Sequence, residues 1–203
     1  DALKVASDIR ALKYFSFSDG HIAGIPCRIG RLGYTGEAGF ELIVAQEYAR
    51  KLWRLLAGAA RPAGFIAADA LRIEAGFVLF TNEFRLPVSP AEAGLAKFHS
   101  NGGDARYAMK LVTFTADAGE FQVLPWQPSN SLSRPSRPRQ IAVTSACRSV
   151  CAPGIVGLGY VLAETPTDVA LHDACGIFQN VTQAHTPVYD PQKLRPRAVW
   201  QGE

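Results

Sequence analysis

No run of eighteen apolar residues occurs anywhere in the 203-residue chain, which excludes a helix of the kind that spans a bilayer. Its four cysteines, Cys27, Cys147, Cys151 and Cys175, are too few and too irregularly spaced for a disulfide framework in a chain of this length. They read as reduced thiols and the protein as cytoplasmic. Net charge is only +3 and scattered, which argues against the basic stripe of a nucleic-acid binder and is compatible with a small anionic ligand. No initiator methionine opens the chain, and no element precedes the helix-spaced Leu3, Ala6, Ile9 and Arg10 of residues 1–12. The expectation is therefore a fragment of a longer protein. What remains, 48% hydrophobic and 19% charged residues, describes an ordinary globular protein able to build a substantial core.

Chemistry concentrates in RLGYTGEAGFEL, residues 31–42, where three glycines, two carboxylates and a tyrosine stand between two apolar runs. Residues 27–32 resemble a strand. Beyond the loop, Phe40, Leu42 and Val44 alternate with Glu41 and Ile43, the period-two mark of a half-buried strand. Gly33, Gly36 and Gly39 are expected to supply positive φ or room for close backbone approach. Glu41 falls on the face opposite Phe40, Leu42 and Val44, which predicts a partly buried carboxylate in need of hydrogen-bond donors. Spacing alone leaves two readings open: a glycine-rich strand connection with Glu41 paired to an arginine, or a turn built to lie against a ligand.

Upstream, residues 13–17, 21–25 and 27–32 suggest a meander with a turn at Ser18-Asp19-Gly20. Downstream, Ala49, Leu52, Trp53 and Leu56 predict an amphipathic helix over residues 46–57, with Trp53 in its core stripe. A second helix is expected over residues 67–75, and a third short one is announced by the capping box Ser89-Pro90-Ala91-Glu92. Residues 77–86 between them read as a strand and loop. Residues 101–139, rich in glycine, proline and serine, read as a linker or loop region with one strand at 110–115. Short strands at 140–145, 157–163, 168–171 and 177–184 then suggest a small antiparallel barrel.

Other motifs carry little. Gly157-Leu-Gly159 lacks the third glycine and the following helix of a dinucleotide fingerprint. Cys147 and Cys151, with His172 and Cys175, do not have the usual zinc spacing, so no metal site is expected. His21, His99 and His185 have no sequence neighbour that nominates a catalytic triad. Arg134, Arg137 and Arg139 read as a solvated face.

The run GYTGEAGFEL, then Asp69-Ala-Leu-Arg-Ile-Glu-Ala-Gly76, then Ser89-Pro-Ala-Glu-Ala-Gly-Leu95, occur in order and at spacing that resemble the glycine cleavage system T-protein family, the tetrahydrofolate-dependent aminomethyltransferases. Residues 143–161 and 186–197 are similar to the family's C-terminal barrel. The resemblance implies an α+β fold: the C-terminal part of a folate-binding domain over residues 1–100, then a β-barrel domain over residues 140–203. It implies a one-carbon transferase acting on a small methylated or aminomethyl donor. Tetrahydrofolate would be the cofactor and a lipoyl carrier protein a partner; a non-catalytic folate-binding module is the alternative. By resemblance Glu41 would bind the pterin, with Tyr34, Glu37 and Arg72 as further cofactor contacts. The family's catalytic aspartate is not matched by Asp8, Asp19 or Asp69, so no catalytic residue is assigned and residues 1–203 alone are expected to be inactive. Ala68 stands where the family usually carries an arginine.

Overall fold

Ala23 and Gly24 take positive φ, 50° and 78°, the pair of left-handed conformations that a type I′ hairpin turn requires. They fold Phe17–Ile22 (β1) directly back on Ile25–Gly30 (β2), with Ile22 opposite Ile25. The turn expected at Ser18-Asp19-Gly20 is instead the middle of β1, where Asp19 pairs in register with Arg28. Turn-favouring composition yields there to a two-residue turn whose twist matches the strands. This computed structural model describes residues 9–98, 107–117 and 132–198. The helix expected over residues 1–12 lies mostly outside that range, and Ile9–Ala11 form a single 3-10 turn. His99, Gly102, Gly103 and residues 125–129 lie outside it as well.

Two compact units divide the chain: residues up to Ala68 together with those from Gln192 on, and Asp69–Pro191. In the first, β1, β2 and Glu41–Ile43 (β3) form an antiparallel sheet in sequence order. One face is apolar because alternation places Ile22, Ile25, Cys27, Ile29, Leu42 and Val44 on it. Gln46–Ala59 (α1) covers that face with Leu52, Leu55 and Leu56. Trp53, expected in the core, is 58% exposed. Successive helical residues sit 100° apart, so with Leu52 at the centre of the buried arc Trp53 swings out of it.

Phe65–Glu74 (α2) begins at the end of the first unit and supplies Asp69 to the second. Residues 77–86, expected as strand and loop, contain a short helix instead, Phe80–Glu83 (α3). The capping box forms as the sequence predicts: the Ser89 N–H donates to Glu92 Oε2 at 2.8 Å, and the Glu92 N–H to Ser89 Oγ at 3.2 Å. The helix it announces does not form: residues 90–94 make only a turn, which closes at Gly94 with φ 75°.

Beyond it the second unit closes into a five-stranded barrel in the order β4-β6-β5-β7-β8. The strands are Met109–Ala116 (β4), Gln140–Arg148 (β5), Ile155–Leu162 (β6), Ala170–Asp173 (β7) and Val181–Ala184 (β8). β4, read with the connecting segment in the sequence, pairs with both β6 and β8. All pairings are antiparallel except a two-residue parallel contact of β5 with β7. The interior is filled by Phe114, Ile141, Val143, Ile155, Val161 and Val181. A Cβ on Gly157 would overlap the Phe114 ring and the Ser145 carbonyl, and one on Gly159 would press on Ile141. These glycines serve close packing in β6, not phosphate binding.

Candidate functional site

The glycine-rich run is a strand connection, as its flanks predict: residues 31–40 leave β2 and return as β3, with Gly30 in register with Glu41. Of its three glycines only Gly36 uses positive φ, at 84°. The loop is held at its neck by Arg31, which is 1% exposed. The Arg31 N–H donates to the Ser16 carbonyl and its own carbonyl accepts from the Phe15 N–H, at 2.8 and 2.9 Å. Its guanidinium donates through Nη1 to the Gly39 carbonyl at 3.1 Å and through Nη2 to the Ala198 carbonyl at 2.8 Å, and lies 5.4 Å from the centre of the Phe40 ring.

Within this frame the expected site residues differ in what they can offer. Tyr34 is 41% exposed. Glu37 faces Arg195, whose Nη1 lies 3.2 Å from Oε1. Glu41, expected to be partly buried, is exposed. The alternation is as predicted, but Glu41 and Ile43 occupy the sheet face away from α1. That face also carries Phe17, 58% exposed, and Ile43, 66% exposed. Beside them Arg28 lies 4.3 Å over the Phe17 ring and grips Asp19 through Nε and Nη2 at 2.8 and 2.9 Å. That hydrogen bond holds the Asp19 carboxyl below its ordinary value.

Arg72 sits in different surroundings. It is fully buried, and its donors go to Asp69 Oδ1 at 2.6 Å, Glu83 Oε2 at 2.9 Å, the Phe77 carbonyl at 3.1 Å and Ser145 Oγ at 2.7 Å. Glu83 also accepts from the Leu79 N–H and from the hydroxyls of Thr144 and Ser145. Adjacent residues on a regular strand point to opposite faces. Both hydroxyls reach Glu83 because a bulge between Val143 and Ser145 in β5 re-aims one of them. A guanidinium so engaged speaks for a framework role rather than direct ligand contact.

Glu74, on the same helix, accepts from Ser149 Oγ at 2.6 Å and the Val150 N–H at 2.7 Å, which fixes the turn between β5 and β6. Cys147 packs beneath it with Ile73 and Val156, and burial, helped by the Glu74 charge, pushes its thiol up to about 12. It is an inert core group, not a nucleophile. Among the described residues no cluster of three or more His, Cys, Asp or Glu side chains is placed to hold a metal ion, and no helix is long and apolar enough to cross a membrane.

Sequence reasoning missed the two arginines that hold the loop. Arg31 looked like the end of a strand, and Arg195 lies in residues 186–197, read as barrel, although the chain from Gln192 on belongs with the first unit. It missed the Glu83 cluster too, since no sequence signal announces the bulge in β5.

The family profile described as the GCVT N-terminal domain matches residues 2–101. An aminomethyltransferase from Streptomyces coelicolor is 44% identical over 104 residues, 47% of this chain and 28% of that protein. One from Porphyromonas gingivalis is 32% identical over 184 residues, 77% of this chain and 48% of that protein. The chain thus spans less than half the length of these curated relatives. A glycine cleavage system aminomethyltransferase T from Bartonella henselae, solved by crystallography, shares the fold at a TM-score of 0.66 and 24% identity, over 89% of this chain and 54% of that one. The glycine loop, the helix that follows it and the DALRIEAG segment all lie inside the matched region, and the fold around them is that of the solved relative: the chain belongs to the glycine cleavage system T-protein family.

Proposed function

We propose that the protein carrying this chain transfers a one-carbon unit from a small aminomethyl or methylated donor to tetrahydrofolate, and that the glycine loop with Glu41 forms part of its folate contact. The observation that carries this is the contrast between the loop's two carboxylates. Glu37 is engaged by Arg195 and supports the loop. Glu41 stands exposed at the loop's exit, on a sheet face rimmed by Phe17 and Ile43. An exposed carboxylate beside apolar surface suits a flat heterocycle with paired N–H donors, because its two oxygens accept two parallel hydrogen bonds. Tyr34 is the second contact, and Arg72 contributes by fixing α2 and α3 against β5.

Tetrahydrofolate, when bound, supplies the nitrogen atoms that take the one-carbon unit. The chain's own part is orientation, which can be worth about 7–11 kcal/mol where reacting groups are well aligned. Asp19 is tied to Arg28 and Asp69 lies buried against Arg72, so neither is free to assist a transfer. Residues 1–203 alone should therefore bind the folate without turning over. Calorimetric titration with tetrahydrofolate, followed by an assay for methylene transfer, tests both halves. Absence of binding defeats the folate assignment, and transfer by the chain alone defeats the second claim. A lipoyl carrier protein as donor partner, carried by family membership, and a cytoplasmic setting, carried by the free cysteines, are part of the same proposal.

A further inference from the structure

Residues 192–198 return to the glycine loop from the far end of the sequence, and two contacts join them. Arg195 meets Glu37, midway along the loop, and the buried Arg31 guanidinium spans from the Gly39 carbonyl at the loop's exit to the Ala198 carbonyl. The returning segment is itself turned, with the Arg197 N–H on the Leu194 carbonyl at 3.2 Å and the Ala198 N–H on the Arg195 carbonyl at 3.2 Å. An exposed ion pair such as Glu37 with Arg195 is a weak fastening by itself. Arg31 changes the weight of the arrangement. A guanidinium taken out of water must be met by acceptors. Here those acceptors include one carbonyl from each side, so burial of the charge requires loop and segment to stay together. Arginine is suited to this because its rigid fork aims two nitrogens at separate acceptors, which a lysine ammonium does less well.

We infer that residues 192–198 act as a strap that positions the glycine loop for its ligand, with Arg31 and Arg195 as positioning residues. They touch no ligand themselves. They hold the loop that carries Tyr34 and delivers Glu41, and this rests on the folate reading given above. The strap sets the loop's geometry and leaves the barrel unaffected.

Hydrogen exchange and tetrahydrofolate calorimetry on the full chain, the Arg195→Ala, Arg195→Lys and Arg31→Lys variants, and the double reversal Glu37→Arg with Arg195→Glu, test the strap. Arg195→Ala, a surface change that leaves folding intact, should raise exchange at the amides of residues 33–39 several-fold and weaken tetrahydrofolate binding several-fold. Exchange in β5 and β6 should stay the same. Arg195→Lys and the double reversal should recover part of both effects, and Arg31→Lys should exceed Arg195→Ala. If the unfolding midpoint falls while loop exchange and affinity stay at the parent's values, the segment is merely structural and the inference is overturned. A parent chain that binds no tetrahydrofolate defeats the proposed function instead, and loop exchange then still decides whether the strap exists.

Discussion

Arg72 Nη1 donates to Glu83 Oε2 at 2.9 Å, with the two side chains 1% and 0% exposed. An ion pair this deep is stabilising only as long as both members and their neutral neighbours are present, because either charge left alone keeps its desolvation cost. The pair joins α2 to α3, and through Ser145 and Thr144 it joins both to β5. It is a framework on which the second unit depends.

The corresponding prediction is a large loss on cutting one side. Arg72→Met leaves Glu83 and Asp69 buried without their cation and should destabilise the second unit by about 3–5 kcal/mol. Glu83→Gln, which keeps the shape, should also destabilise it. Urea unfolding followed by far-UV circular dichroism measures both, and an Arg72→Met midpoint equal to the parent's would show that the network carries no stability.

Acid should weaken the same unit through Glu92. Burial alone would raise this carboxyl, but the Ser89 N–H and hydroxyl and the Met109 N–H outweigh it and hold the group below its ordinary value. A carboxyl depressed on folding adds stability that is fully present above its unfolded value and lost as pH falls through the native one. Unfolding midpoints measured from pH 7 down to pH 3 should therefore fall at the acid end. Glu92→Gln should start lower at pH 7 and fall less steeply, and parallel curves would contradict the assignment.

Much of this architecture is legible in the residues themselves, for physical reasons that differ from element to element. β3 and α1 announce themselves because each has one wet face and one dry face, so period two and period 3.6 are written directly into the sequence. The capping box at Ser89 is equally readable because it is a local exchange of hydrogen bonds, yet the helix after it is not, since Gly94 decides the outcome a few residues on. Trp53 misleads because an apolar residue beside the buried arc looks the same in sequence as one inside it. The candidate site is legible at Glu41, where alternation gives the correct face but not the exposure, which depends on what covers that face. Arg31 with Ala198, and Glu83 with Ser145, are contacts between distant segments that neither periodicity nor composition encodes.

Ala68 bears on which donor the proposed transfer uses. The family resemblance implies an arginine at this position, and Arg72, one helical turn on, cannot replace it because its guanidinium is buried and engaged by Asp69, Glu83 and Ser145. A donor bearing a carboxylate would then lose a bidentate partner. The proposed transferase should prefer an uncharged or differently shaped methyl donor, and Ala68→Arg should shift kcat/KM toward the glycine-derived donor. A parent enzyme already efficient with the glycine-derived donor would refute this.

The central claim is that Glu41 reads the folate, and titration of tetrahydrofolate into the parent and into Glu41→Gln tests it most directly. The exchange keeps the side chain's size but replaces one acceptor oxygen with a donor, so a charged hydrogen bond worth about 1.5–3 kcal/mol is lost. The substitution sits on an exposed face, so the fold should be unchanged. The account predicts a dissociation constant raised by roughly ten- to a hundredfold with an unaltered unfolding midpoint. Equal affinity in the two proteins would contradict it.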